Sequence, residues 1–373
     1  MFRHLFFPLS LLFLSACHAA TGSDDNKPYR VEVLTDELSH PWSMAFLPDG
    51  NILISERAGR LRLFRDGKLL EQPVRGLPEI EAVGQGGLLD LALHPDFDNN
   101  RWLYFSYVAE FEDEATTHLA RGKYRDGQLS DVQVLFIATP SGDTGRHFGG
   151  RIVFDKQGYL YLTIGDRGDQ PRAQDLSDHA GGTHRLHDDG RIPEDNPFLD
   201  NPDAKPSFYT YGNRNAQAMT MHPQTGVIWQ VEHGPRGGDE LNIIEAGKNY
   251  GWPVISYGIN YSGTPVGEGI THKEGMEQPV YYWDPSIAPS GMAFYTGDAF
   301  RNWRGNLFVG ALAHEHLARL VIKDNKVVKE EKLLTERDER IRDVRMGPDG
   351  LLWLLTDESD GSLLRIKPAD GQS

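Results

Sequence analysis

Apolar residues alternate with polar ones at period two through most of this chain, and each run breaks at a turn rich in Pro, Asp and Gly. The first clear instance is "WSMAFLPDGNILISER", residues 42–57: an apolar strand, the turn Pro48-Asp49-Gly50, then a second apolar strand. The pattern returns as "LDLALHPDFDNNRWLYFSYV", "GRIVFDKQGYLYLTIGD", "AMTMHPQTGVIWQVEHG", "GMAFYTGDAFRNWRGNLFVGAL" and "DVRMGPDGLLWLLTDESDGSLLRI". Period two around such a turn predicts a β-hairpin in each copy. Six hairpins at blade-sized spacing predict an all-β chain, a six-bladed β-propeller of four-stranded antiparallel blades, with residues 29–373 as one domain. A solenoid would need one constant short period, and a pair of β-sandwiches would need a mid-chain linker; the chain offers neither. Long insertions at residues 166–212 and 232–292 follow the third and fourth copies, where connecting loops can build a functional mouth.

Composition narrows the class. The chain has 373 residues with 40 Gly, 22 Pro and a formal net charge of −16, so it would repel the phosphates of a nucleic acid. Residues 1–16 read as a signal peptide of the lipoprotein type: Arg3, an apolar stretch, then small residues. Leu14-Ser15-Ala16-Cys17 resembles a bacterial lipobox, and Cys17 is the sole cysteine, which suits a lipid anchor better than a disulfide. Ordinary cleavage within "ACHAAT" is the alternative. Residues 17–28 would then be a flexible tether, and the expected location is periplasmic, on the outer membrane. No later segment is apolar enough to span a bilayer. HExxH, CxxC, GxSxG and P-loop signatures are missing, so zinc hydrolysis, a serine nucleophile and nucleotide binding have no warrant.

Residues able to do chemistry gather at strand ends and loops. His147 lies in the Gly-rich "GRHFGG", and Asp166 ends the following strand, where it can orient the imidazole as a base. Taken alone, a histidine in a Gly-rich turn is by default structural. Gln85 sits in "GQGGLLD", and Arg214 and Asn215 in "YGNRNAQAM". Arg340 and Arg342 are two apart at a strand entry, so both guanidinium groups can face one side and suit a polyanionic small ligand. Local pairing with Asp343 or Glu339 is the plainer alternative. In "EHGPRGGDELNIIEAGKNYGW", backbone carbonyls at Gly234 and Pro235 and the Glu240 carboxylate are the oxygen ligands a hard cation such as Ca²⁺ prefers, although acidic turns are common. Trp252 reads as a core aromatic, and Tyr250 is open between core and site.

The ordered set "HPWSMAFLPDG", "GQGGLLDLALHPDF", "HFGGRIVF", "YGNRNAQAM", "EHGPRGGDELNI", "GKNYGWP" and "RIRDVRMGPDG" resembles the soluble quinoprotein glucose dehydrogenases, and more closely the bacterial PQQ-dependent aldose sugar dehydrogenases, over residues 30–368. The resemblance implies a six-bladed propeller that oxidises aldoses at the anomeric carbon to lactones by hydride transfer to PQQ and hands the electrons to an external acceptor. It implies His147 as general base, Asp166 as its orienting acid, and Gln85, Arg214, Asn215, Arg340 and Arg342 as cofactor contacts, with Tyr261 a weaker candidate for the wall. It further implies Ca²⁺ held by Gly234 and Pro235, with Glu240 and Tyr250 in the same calcium-binding region. Three positions depart from the pattern. Ala313 stands where the family places a lysine against PQQ, with His314 or His316 as possible substitutes. Gly181-Gly182 replaces a "GK", and Arg146 precedes the base where the glucose dehydrogenases carry an acid. A propeller that only binds a sugar or a protein is the alternative. A calcium-dependent lactonase is a third reading, but the converging carboxylate and amide ligands it needs are not found.

Overall fold

The computed structural model describes residues 27–369; the signal-like segment 1–16, Cys17 and most of the tether lie outside the described residues. Within them the chain forms six four-stranded antiparallel sheets, and each sequence repeat supplies the two inner strands of one sheet. The first repeat gives Pro41–Phe46 and Ile52–Glu56, continued outward by Arg60–Arg65 and Lys68–Leu69. The third gives Ile152–Phe154 and Leu160–Ile164, continued by Gly182–Leu186 and Phe208–Tyr211. Five sheets are built from consecutive strands. The sixth joins Ile341–Met346, Leu352–Thr356 and Gly361–Pro368 to the N-terminal strand Tyr29–Leu38, with Tyr29 opposite Pro368 and Leu38 opposite Gly361. That pairing closes the ring and leaves no bare inner edge. Helix is confined to Phe97–Asn100 and two 3₁₀ turns among the described residues. None of these is long and apolar enough to cross a membrane.

Second strands such as Ile52–Glu56, Leu160–Ile164 and Ile228–Glu232 are buried along their whole length because neighbouring sheets cover both faces. Apolar clusters accordingly lie between adjacent blades. Leu53 and Leu61 of the first pack with Leu91 and Phe105 of the second. Ile54 and Phe64 pack with Trp353 and Leu363 across the closure. Each side chain so removed from water contributes about 1.5–3 kcal/mol.

The axis, by contrast, is polar. Arg151, 2% exposed, donates through Nη1 to Asp343 at 3.0 Å and to Asp90 at 3.3 Å, and through Nε to the Gln217 carbonyl. Its guanidinium carbon lies 4.0 Å from the Trp42 ring centroid. Arg345 reaches the same two acids, Asp90 at 2.7 Å and Asp343 at 2.9 Å. Asp90 also accepts from Ser43 Oγ at 2.5 Å and from the Ile152 amide at 2.8 Å, and Asp343 accepts from the Met44 amide at 3.1 Å. Two arginines and two aspartates therefore cancel in charge while linking the first, second, third, fourth and sixth blades. Removing one partner of a buried charge pair leaves the others uncompensated. Arg151→Ala is expected to destabilise the fold by about 3 kcal/mol in chemical denaturation, the low end of the range for such losses.

Candidate active site

The base-bearing loop owes its shape to glycines. His147 has φ +55°, and Gly149 and Gly150 follow at +65° and +98°. A Cβ on Gly149 would lie 2.5 Å from the Thr163 carbonyl oxygen, and one on Gly165 would lie 2.2 Å from the His147 carbonyl oxygen. Only glycine permits this approach of loop to strand. His147 Nδ1 thereby comes within 2.6 Å of Asp166 Oδ1. Its amide donates to Gln85 Oε1 at 2.8 Å, while its Nε2 has no hydrogen-bond partner among the described residues. Asp166 also accepts from the Gly168 amide at 2.7 Å and from the Trp252 indole at 2.8 Å. Burial pushes the Asp166 carboxyl up, but the His147 hydrogen bond and charge, the Gly168 amide and the Arg214 charge outweigh it and hold it below the ordinary range. An ionised Asp166 accepts the Nδ1 proton, which leaves the lone pair on Nε2. For His147 burial is the largest influence and lowers its pKa, reinforced by Arg214 and Arg146 and opposed by Asp166.

Two supporting residues escaped the sequence reading. Trp252 is buried, as expected of a core aromatic, yet its indole N–H fixes the Asp166 carboxylate. Arg167 is 2% exposed and stacks over Phe148 at 3.8 Å. It donates to the carbonyls of Ala115, Gly142, Thr144 and Arg146 at 3.0, 3.4, 2.5 and 3.2 Å. Burial brings its pKa down to about 10. Its four carbonyl bonds hold the loop that ends in His147.

Phe148, Gly149 and Gln85, though not His147 itself, line a cavity of about 430 Å³. Trp42, Leu89 and Phe148 form apolar walls, Gln85, Asn215 and Gln217 supply amides, and Arg57, Arg340 and Arg342 supply cations. Arg340 and Arg342 do share one side, as their spacing predicts. Their acid is Asp357, at 3.4 and 2.5 Å, rather than Asp343 or Glu339. Asp343 belongs to the axial network and Glu339 pairs with Arg337. Burial pushes Asp357 up, but the Arg342 and Arg340 charges overcome it and hold the carboxyl far below the usual range. Arg342 Nε is buried without a hydrogen-bond partner. Arg214 lies behind the wall: its amide donates to Glu232 at 2.5 Å, its carbonyl accepts from the Asp166 amide at 2.8 Å, and its guanidinium donates to the His233 carbonyl at 3.1 Å. Ala313 does line the cavity. His316 is fully buried with Nδ1 on the His314 carbonyl, and His314 lines a separate outer groove, so neither histidine takes the missing lysine's place in the cavity.

Gly234 and Pro235 are buried, and neither carbonyl accepts a hydrogen bond among the described residues. Glu240 lies opposite Glu232 across two strands, and the Asn242 amide donates to both, at 3.2 and 3.3 Å. Burial raises both carboxyls, and Glu232 raises Glu240 further. The Tyr250 hydroxyl is committed to the Ile243 carbonyl at 2.5 Å, within an apolar cluster. Tyr261 is 74% exposed on its loop and does not line the cavity. No group of three or more His, Cys, Asp or Glu side chains suited to a metal occurs among the described residues.

The chain is 46% identical over 373 residues to the aldose sugar dehydrogenase YliI of Escherichia coli K12, covering 99% of this chain and all of that protein. Its fold matches the soluble aldose sugar dehydrogenase of Escherichia coli in the apo form with a TM-score of 0.89, at 46% identity over 91% of this chain and 100% of the other. It matches the PQQ-bound aldose sugar dehydrogenase of Streptomyces coelicolor with a TM-score of 0.74, at 28% identity over 91% and 98%. The family model for glucose/sorbosone dehydrogenases matches residues 38–365, and with that span and those identities the chain belongs to this family.

Proposed function

We propose that this protein is a PQQ-dependent aldose dehydrogenase that oxidises the anomeric carbon of a sugar to a lactone and passes the electrons to an external acceptor. The observation that carries the reading is His147, whose Nδ1 is held by Asp166 at 2.6 Å while Nε2 has no partner among the described residues, and whose neighbours Phe148 and Gly149 and partner Gln85 line the arginine-bearing cavity. A pure binding propeller requires no such polarised base.

The cavity suits a flat polycarboxylate. Its apolar walls can take an aromatic face, and its amides and guanidinium groups can take carboxylates. Bound there, PQQ supplies a quinone able to accept the hydride from the sugar's C1. His147 Nε2 removes the proton of the C1 hydroxyl, and Asp166 stabilises the resulting imidazolium through Nδ1–H. Gln85 fixes the His147 backbone, and Trp252 and Gly168 fix Asp166, so the base needs little reorganisation. Asn215, Arg340 and Arg342 are assigned to the cofactor directly. Arg214 shapes the wall through its backbone and its field, and Tyr261 could contribute only through loop movement.

Calcium belongs to the same proposal. The partner-free carbonyls of Gly234 and Pro235 fit a hard cation, and the crowded Glu232–Glu240 pair fits a second source of oxygen ligands, which Tyr250 could join only through its backbone carbonyl because its hydroxyl is bound to Ile243. Such an ion would act as a Lewis acid on the cofactor. Export to the periplasm with a lipid on Cys17 remains part of the same reading of the N-terminus.

Replacing His147 with Ala should lower kcat by at least ~100-fold while PQQ titration still saturates; turnover near that of the parent would remove His147 from the chemistry. The base works only when neutral, and burial holds its pKa below the ordinary value, so activity should hold through neutral pH and its acid limb should lie below the ordinary histidine range. Arg146→Gln takes away one depressing charge and should move this acid limb of the kcat profile to higher pH. Chelation should abolish activity and added Ca²⁺ should restore it, with dye reduction as the readout; full activity in protein shown by elemental analysis to be calcium-free would count against the metal.

A further inference from the structure

Ala313 lines the cavity and brings no charge to the wall at that point. Arg57 lines the same cavity. It follows the buried strand Ile52–Glu56, and its position is set from both sides. Its carbonyl accepts from the Leu88 amide at 3.0 Å, and its Nη1 donates to the Gly84 carbonyl, next to Gln85. Gly87, at φ +146°, exists to admit it: a Cβ there would meet the Arg57 carbonyl oxygen at 1.8 Å.

The charge balance of the wall singles this residue out. Arg340 and Arg342 share the one carboxylate of Asp357. Arg57 has no carboxylate partner among the described residues, and one carbonyl occupies one of its five N–H donors. An arginine anchored by a neutral acceptor keeps its charge available and its planar fork oriented. The cavity wall therefore carries three guanidinium groups against one acid, a surplus of two positive charges within a protein of net charge −16.

We propose that Arg57 is a cofactor-binding residue of this chain: it pairs with a carboxylate of PQQ and supplies the cation that position 313 lacks. The inference rests on the PQQ reading above and deepens it. Arg57 has no part in proton transfer, so its contribution is to the affinity of the cofactor and the angle at which it lies.

The test is equilibrium binding of PQQ itself to metal-replete, cofactor-free protein, followed by quenching of tryptophan fluorescence. Wild type, Arg57→Gln and Arg57→Lys are compared at about 50 and 500 mM salt, with thermal midpoints checked to show that each is folded. Arg57→Gln should bind PQQ at least ~10-fold more weakly at low salt, Arg57→Lys should recover part of the loss, and the deficit should shrink at high salt because a charge pair is screened. Equal affinities in all three would overturn the assignment. A deficit that does not respond to salt would overturn it too, because it would trace to the Gly84 contact and the loop it supports. Failure of the wild-type protein to bind PQQ would bring down the cofactor reading and this inference together, an outcome distinct from the other two.

Discussion

The pair of aspartates at the axis, Asp90 and Asp343, decides what the rest of this propeller can be. Each is fully buried and must therefore be met by cations and amide donors from other blades. Arg151 and Arg345 answer them, Ser43, Met44 and Ile152 complete the donors, and Trp42 covers the Arg151 guanidinium. An apolar axis could tolerate sliding between blades. A closed set of charge-assisted bonds cannot, because any shift leaves a buried charge unmet. The floor of the cavity inherits that registration directly. Trp42 and Gln217 belong to both the network and the wall, and Arg151 holds the carbonyl of Arg342 at 3.4 Å.

Above this neutral floor the electrostatics turn one-sided. A chain that is strongly acidic overall concentrates arginines at one cavity, where low-dielectric walls strengthen their field. His147 answers to other cations, neither of which lines the cavity. Arg214 and Arg146 push the imidazole toward its neutral form, and Asp166 pulls the other way. The positive charge of the cavity and the lowered pKa of His147 thus come from different arginines. Asp357 keeps the arrangement from excess by tying down two of the arginines.

Much of this was legible along the chain. Period-two alternation around Pro/Asp/Gly turns placed the inner strands of all six blades, and the spacing of Arg340 and Arg342 put both on one side. His147 and Asp166 paired as their positions in loop and strand end suggested. The residues that were missed are those whose role comes from the ring rather than the local chain. Arg57 shares a cavity with Gln85 and Arg342 only because separate blades converge. Asp357 sits in an ordinary acidic turn, "TDESDG", and a bulge between Ile341 and Asp343 helps decide which acid faces the arginines. Trp252 has the burial of a core residue, and nothing in its neighbours reveals the acid its N–H will meet. Tyr261 was placed toward the wall by its motif, but its loop leads the ring out into solvent.

The closure of the ring also governs the order in which the molecule can be completed. Five blades draw on contiguous stretches of chain, so each can assemble as it leaves the ribosome. The sixth cannot, because Tyr29–Leu38 is made first and its partner Gly361–Pro368 is made last. Until then the opening strand is an unprotected template for any passing β-edge. Its alternation is broken by Glu32, Thr35, Asp36 and Glu37, side chains that would discourage such pairing during the wait. A chain cut short before residue 361 would keep His147 and most of its arginines yet never seal, making the last few strands guardians of solubility as much as of shape.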